Sequence, residues 1–207
     1  MRMLGALRRS ALFGVVALLT VGAGAVQAAP AAAQCPAYEL TRPFLPWLDP
    51  LAYALAPNGG LENGSTGWKL TGGARVVSGN ETFFVGAPSD GYSLSLPPGS
   101  SATTGTMCVR TLDAVMRFFA SGSLLSTLQV DVVYTDASGK TRTLLVGLVV
   151  GTGAWMPTLP TPILANLLAL PLVTDGNIWV ALRFTPKGLL GGGWKIDDVY
   201  VDPLKGV

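Results

Sequence analysis

Apolar and polar residues alternate along several short stretches of the chain. In 127–135, Leu128, Val130, Val132 and Tyr134 fall on one side of an extended backbone, with Gln129, Asp131, Val133 and Thr135 on the other. In 177–185, Ile178, Val180, Leu182 and Phe184 oppose Trp179, Ala181, Arg183 and Thr185. A period of two predicts strands with one face in a core and one in water. Residues 141–150 are apolar on both sides, Leu144, Val146 and Leu148 against Leu145 and Val149. That predicts a central strand, or one covered by another part of the chain. Runs rich in β-branched and aromatic residues predict further strands at 51–56, 67–71, 74–78, 92–96, 104–109, 115–120 and 194–202. Turn formers separate them at Asn58-Gly59-Gly60, Gly72-Gly73, 136–139, Asp175-Gly176 and 191–193. A helical turn is expected only at 163–168, between Pro162 and Pro171. Many short strands with regular turns predict an all-β sandwich or barrel.

The N-terminal residues follow a different rule. Arg2, Arg8 and Arg9 flank or precede an apolar run at 11–21, and Val26-Gln27-Ala28 places small residues at the −3 and −1 positions of a cleavage site. Ala31-Ala32-Ala33 offers a second such site. The apolar core is about 12 residues, short of the ~20 that span a bilayer. Residues 1–28 therefore read as a secretory signal peptide and the protein as secreted, extracellular. Pro160, Pro162 and Pro171 interrupt the apolar stretch 159–173, so no transmembrane segment is expected in the mature chain. Residues 29–50 read as an extended Pro-rich arm, with Pro36, Pro43, Pro46 and Pro50 opposing a helix and Phe44, Leu45 and Trp47 as anchors.

Composition narrows the chemistry. The 207 residues are 49% hydrophobic and 13% charged, which suits one folded domain over 51–207 rather than disorder. The sequence contains no histidine, which excludes Ser-His-Asp and Cys-His nucleophile systems and His-ligated zinc. Its two cysteines exclude a Cys₄ site. Cys35 and Cys108 form a disulfide in an oxidising compartment, or are two buried free thiols. The net charge is +2, and losing three Arg with residues 1–28 leaves 11 Lys/Arg against 12 Asp/Glu, a net of −1. No basic stripe for nucleic acid and no polybasic patch for an anionic membrane remains.

Two segments carry a resemblance. Asn58-Gly59-Gly60-Leu61-Glu62-Asn63-Gly64-Ser65-Thr66-Gly67-Trp68 resembles the opening of galactose-binding-like, carbohydrate-binding-module jelly rolls. Trp194-Lys195-Ile196-Asp197-Asp198-Val199-Tyr200-Val201-Asp202 resembles the closing strand of the same fold. The match brackets 51–203 and implies a jelly-roll β-sandwich. With its Pro-rich, Cys-containing arm, the whole pattern is similar to secreted actinobacterial proteins of unknown function. In the family, the opening Glu and a closing Asp often bind a structural Ca²⁺, which here implies Glu62 with Asp197 or Asp198. The chain departs from the family at Gly60, where a carboxylate is common, and at Leu61, where an aromatic is.

These residues define candidate sites. Ca²⁺ takes six to eight oxygens, and a Gly-rich turn beside paired carboxylates can supply them. The alternative is that Asp197 or Asp198 accepts backbone N–H groups. With Val199 and Val201 inward, strand parity puts Asp197 inward and Asp198 toward solvent or a turn. Trp179, Arg183, Gln129, Asp131 and Arg117 lie on the wet faces of their strands, and aromatic plus planar polar groups suit sugar binding. The alternative is an ordinary sheet surface with a cation–π contact. Trp68, Trp155 and Trp194 are expected in the core or at its rim. No carboxylate pair sits in a recognisable glycosidase motif. The sequence thus reads as a secreted non-enzymatic binding module for a glycan or a cell-surface partner. The alternative is a structural or cell-envelope protein that interacts through an apolar patch around residues 156–173.

Overall fold

The computed structural model describes residues 35–110, 114–136, 138–163, 177–188 and 192–203, all within one compact unit, Ala32–Val207. The expected signal peptide and all but Ile163 of the helical turn expected at 163–168 lie outside the described residues. A 3₁₀ turn at Leu45–Trp47 precedes the strands. In chain order these are β1 (Ala54–Leu55), β2 (Lys69–Thr71), β3 (Arg75–Ser78), β4 (Tyr92–Leu96), β5 (Ser101–Thr103), β6 (Met107–Arg110), β7 (Val115–Gly122), β8 (Thr127–Thr135), β9 (Thr141–Val150), β10 (Met156–Pro157), β11 (Thr161–Pro162), β12 (Asn177–Lys187) and β13 (Trp194–Asp202).

The strands form two antiparallel sheets, the all-β sandwich that the alternation predicts and the jelly roll that the resemblance implies. The first runs β10-β7-β13-β4-β3, with β1 also on β13 and β11 also on β7. The second runs β2-β5-β12-β8-β9, with β6 also on β12. The chain passes repeatedly from one sheet to the other, as a jelly roll requires. Between the sheets, Leu128, Val130, Val132 and Tyr134 of β8 meet Phe118, Leu94 and Ile196 of the opposite layer in one core. Trp68 and Trp194 are buried there too, and Trp68 stacks on Phe184 with centroids 6.1 Å apart.

Several elements differ from the alternation. Only Ala54–Leu55 of 51–56 is a strand, and 104–109 is replaced by β5 and β6 with a break between them. Residues 141–150 form an edge strand, paired to β8 alone. A bulge explains their two apolar faces. Val130 pairs with Gly147 and Asp131 with Leu145, so Val146 is an extra residue and the facing parity changes there. Leu144, Val146 and Val149 pack toward the core, whereas Leu145, Leu148 and Val150 are exposed.

The arm is a third layer rather than a loose tail. Val115, Phe119 and Tyr200 project from the outer face of the first sheet, and Phe44 and Tyr53 cover them in a second apolar cluster. Phe44 stacks on Phe119 with centroids 5.5 Å apart. Thr41 and Tyr53 exchange backbone hydrogen bonds of 2.8 and 2.7 Å. Leu45, expected as an anchor, is exposed, because the 3₁₀ turn points it outward. Trp47 does pack on the cluster. Arg117 corrects the sequence reading: it is on β7, only 4% exposed, beneath this arm and not on a wet face. Its Nη1 donates to Asp49 Oδ2 at 2.7 Å, its Nε donates to the Thr158 carbonyl at 2.7 Å, and its guanidinium lies 4.2 Å from the Phe44 centroid. Burial pushes the Asp49 carboxyl up, but hydrogen bonds from Arg117, Tyr53 and the Leu51 N–H outweigh it and hold the group below its ordinary range.

The arm is also tied covalently, since Cys35 is bonded to Cys108 on β6 across 73 residues. Closing a loop of that length contributes about 4 kcal/mol by restricting the unfolded chain. Reduction should therefore lower the melting temperature by several degrees, read by calorimetry with and without reductant. Arg117→Leu should cost about 3–5 kcal/mol, because it strands a buried carboxylate. Arg117→Leu with Asp49→Leu should recover much of that in denaturant unfolding, whereas a purely additive double variant would exclude the pairing as the cause.

Candidate functional site

The opening motif folds on itself. Asn58 donates from Nδ2 to the carbonyls of Gly64 and Thr66 at 2.9 and 3.0 Å, and Oδ1 accepts from the Asn63 N–H at 3.2 Å. The Trp68 indole donates to the Asn58 carbonyl at 3.0 Å, which joins this loop to the core. Glu62 is carried outward, and its Oε1 accepts from the N–H groups of Gly91 and Tyr92, each at 3.0 Å.

A bulge in β13 delivers the other carboxylates. The register against β7 shifts between Asp197 and Tyr200, and Asp198 adopts φ +47°. Ile196, Val199 and Val201 all reach the core, so Asp197 falls on the outer face, opposite to the parity expected of a regular strand. Both aspartates are buried, rather than one inward and one wet. Asp197 accepts from the backbone N–H groups of Glu81 and Asp198 at 3.0 and 2.9 Å. It is held by main-chain donors and, unlike Glu62 and Asp198, does not line the cleft beside the arm. Glu81, which no motif marked, is fully buried beside it, accepting from the N–H of Val85 at 2.8 Å and from that of Phe83.

Asp198 faces a cleft of about 590 Å³ between the arm, the 58–63 turn and the 86–90 loop. Glu39, Glu62, Asp90 and Asp198 line it, together with no Lys or Arg. Asp198 is 1% exposed and its Oδ2 has no hydrogen-bond partner. Two glycines make room for the carboxylates. A Cβ on Gly60 would lie 3.1 Å from Asp198 Oδ1, and one on Gly86 would lie 2.4 Å from Asp90 Oδ2. Burial, then the Asp198 charge, raises the Asp197 carboxyl to about 8. Burial, then the charges of Glu81 and Asp90, raises the Asp198 carboxyl to about 7.

The predicted ligand-binding residues separate. Trp179, Arg183, Gln129 and Asp131 share the outer face of the second sheet, while Arg117 is under the arm on the first. Arg183 Nη2 donates to Asp131 Oδ2 at 2.9 Å, and Gln129 Nε2 donates to Asp131 Oδ1 at 2.8 Å. These two neighbours leave Asp131 only 2% exposed, although it is on the face expected to be wet. Trp179 is 48% exposed and borders a shallow groove of about 420 Å³ with Thr106, Thr135, Thr141 and Asn177. Ala181, between Trp179 and Arg183 on the same face, keeps the groove open.

No family model and no curated protein sequence matches the chain. Solved structures are similar to it in fold. TmCBM61 in complex with β-1,4-galactotriose shares 18% identity over 70% of this chain and 95% of that one, with a TM-score of 0.44. The CBM22-1 xylan-binding domain from Paenibacillus barcinonensis shares 16% over 72% and 94%, with a TM-score of 0.46. The N-terminal cellulose-binding domain of a Cellulomonas fimi β-1,4-glucanase shares 17% over 74% and 99%, with a TM-score of 0.45.

The raised carboxyls set a pH dependence. Asp197 and Asp198 titrate near 4 in an unfolded chain and at about 8 and 7 when folded, so the folded state keeps protons that the unfolded state has lost. Their contribution to stability is full below about pH 4 and is lost as pH rises through 7 and 8. In chelator, the melting temperature should fall between pH 5 and 8.5. Asp198→Asn, tolerated at positive φ, should flatten that fall and melt above the parent at pH 8.5. A parent curve with no fall across that window would contradict the assignment.

Proposed function

We propose that the protein is a secreted, non-enzymatic binding module that takes a glycan on the outer face of its second sheet. The observation that carries this reading is Trp179, half exposed beside a groove whose other polar side chains are uncharged: Thr106, Thr135, Thr141 and Asn177. A sugar ring offers an apolar face to an indole and hydroxyls to such groups. The Arg183–Asp131–Gln129 chain extends the same face and orients its polar groups in advance. The disulfide agrees with an extracellular setting. Among the described residues, no helix is long and apolar enough to cross a membrane.

The acidic cleft suits a structural Ca²⁺. Its donors are hard oxygens, the Asp198 Oδ2 lacks a partner, and the space beside Gly60 and Gly86 is what a Cβ would fill. Among the described residues no three acidic or cysteine side chains gather around one point. Asp198 and Glu62 would therefore hold the ion with main-chain oxygens, and Asp197 would act only by fixing the bulge. The ion would neutralise the carboxylates and tie the 58–63 turn to β13.

A glycan array probed with the purified protein, with and without Ca²⁺, tests the binding. Trp179→Ala should weaken any hit about tenfold or more while lowering the melting temperature only modestly, since about half of the ring is already in water. Absence of binding under both conditions would turn the reading to a cell-envelope protein acting through an apolar surface. Ca²⁺ at 100 times Kd should add about 2.7 kcal/mol of stability. Asp198→Asn should abolish that increment and Glu62→Gln should weaken it. Identical melting in chelator and in excess Ca²⁺ would exclude the ion.

A further inference from the structure

A cleft of about 440 Å³ opens between the facing edges of the two sheets, apart from both surfaces above. The edge strand β9 supplies one wall, and β10 to β11 supply the other. The edges approach where a Cβ on Gly147 would lie 3.2 Å from Thr161 Cγ2. No residue lining the cleft is charged. Leu148, Met156 and Leu159 at its rim are exposed, whereas Trp194 and Ala120 are buried. Pro157, Pro160 and Pro162 remove backbone donors from one wall.

One donor in this lining is unspent. Trp194 is 2% exposed, lines the cleft, and its indole Nε1 has no hydrogen-bond partner. The ring cannot shift to find one without moving off Gly122, its pair on β7. A Cβ on Gly122 would lie 2.5 Å from the indole atoms, so the bare backbone is what the ring rests on. An indole N–H only donates, and a buried donor is costly unless an acceptor reaches it. A water at this position needs two to four polar partners, and the three threonine hydroxyls of the lining are already engaged, Thr152 with the Ala154 carbonyl, Thr158 with the Phe118 N–H and Thr161 with the Leu159 carbonyl. A charged ligand would lose its hydration with no counter-charge to meet it.

We infer that this cleft is a binding site for an uncharged, apolar molecule bearing one acceptor oxygen, of the long-chain alcohol, ketone or ester class. The chain of the ligand lies between the sheet edges, and its oxygen accepts from Trp194 Nε1. The cleft is within the size range of small-molecule pockets. The inference is independent of the glycan reading, which uses the opposite chemistry on a different surface.

The test uses the full chain, ¹⁵N-labelled, with 1-decanol as the probe. Trp194 Nε1–H is assigned by its loss in Trp194→Phe. Decanol should shift that resonance saturably and leave the Trp179 indole unmoved. Trp194→Phe should weaken decanol about 3- to 10-fold, the range of one net hydrogen bond, while decane binding changes less than about twofold. Decanoate at pH 8 should bind at least about tenfold more weakly than decanol. If Trp194→Phe does not fold, Leu159→Glu at the exposed rim should weaken decanol without changing the melting temperature. No saturable shift, or equal decanol affinity in Trp194→Phe or Leu159→Glu, overturns the inference. Those outcomes would mean that the cleft holds only water.

Discussion

The bulge between Asp197 and Tyr200 organises both faces of the first sheet. Ile196 and Val199 both point into the core although they are three residues apart. That is possible only if one residue between them leaves the pleat. Asp198 takes the positive φ that the bulge requires, and its carboxylate enters the cleft instead of the core or open water. Asp197 and Tyr200 then share the outer face, one under the 81–85 loop and the other under the arm. The acidic cleft, the buried Glu81 and the seat of the arm all follow from this local irregularity.

The arm answers a different need. A sheet packed on one side can leave its other face in water only if that face is polar. Val115, Phe119 and Tyr200 are not, and Arg117 stands among them. Covering them removes apolar surface from water but also buries a guanidinium. Asp49 on the arm neutralises it, and the Thr158 carbonyl takes a second donor. The disulfide fixes the far end of the arm to the second sheet, so the three layers are joined by packing, charge and a covalent bond.

Three concave surfaces among the described residues sit where the sandwich ends or is uncovered, and each has its own chemistry. Carboxylates without cations line the cleft beside the arm. Uncharged polar groups and one indole line the outer groove, together with Val133, Ile178 and Ala181. Aliphatic side chains, prolines, three threonines and one unpaired donor line the gap between sheet edges. The same core supports all three, because loops and edge strands can change without disturbing the packed interior.

Much of this was legible in the residues. The parity of 127–135 and 177–185 holds throughout β8 and β12, because both strands are regular and each has one core face. The lone cysteine pair left one possible bond, and that bond is present. The opening loop closes through Asn58, a short-range contact that turn chemistry encodes locally. Tertiary structure alone decided the rest. Bulges at Val146 and Asp198 reverse parity beyond them, and the register that creates them depends on the partner strands β8 and β7. Arg117 looks like a wet-face residue until the arm covers it. Asp131 looks exposed until Arg183 and Gln129 close over it. The Glu81 N–H reaches Asp197 across 116 residues, and packing between distant segments leaves Asp198 Oδ2 and Trp194 Nε1 without partners. Periodicity reports which way a side chain faces, and only packing decides what meets it there.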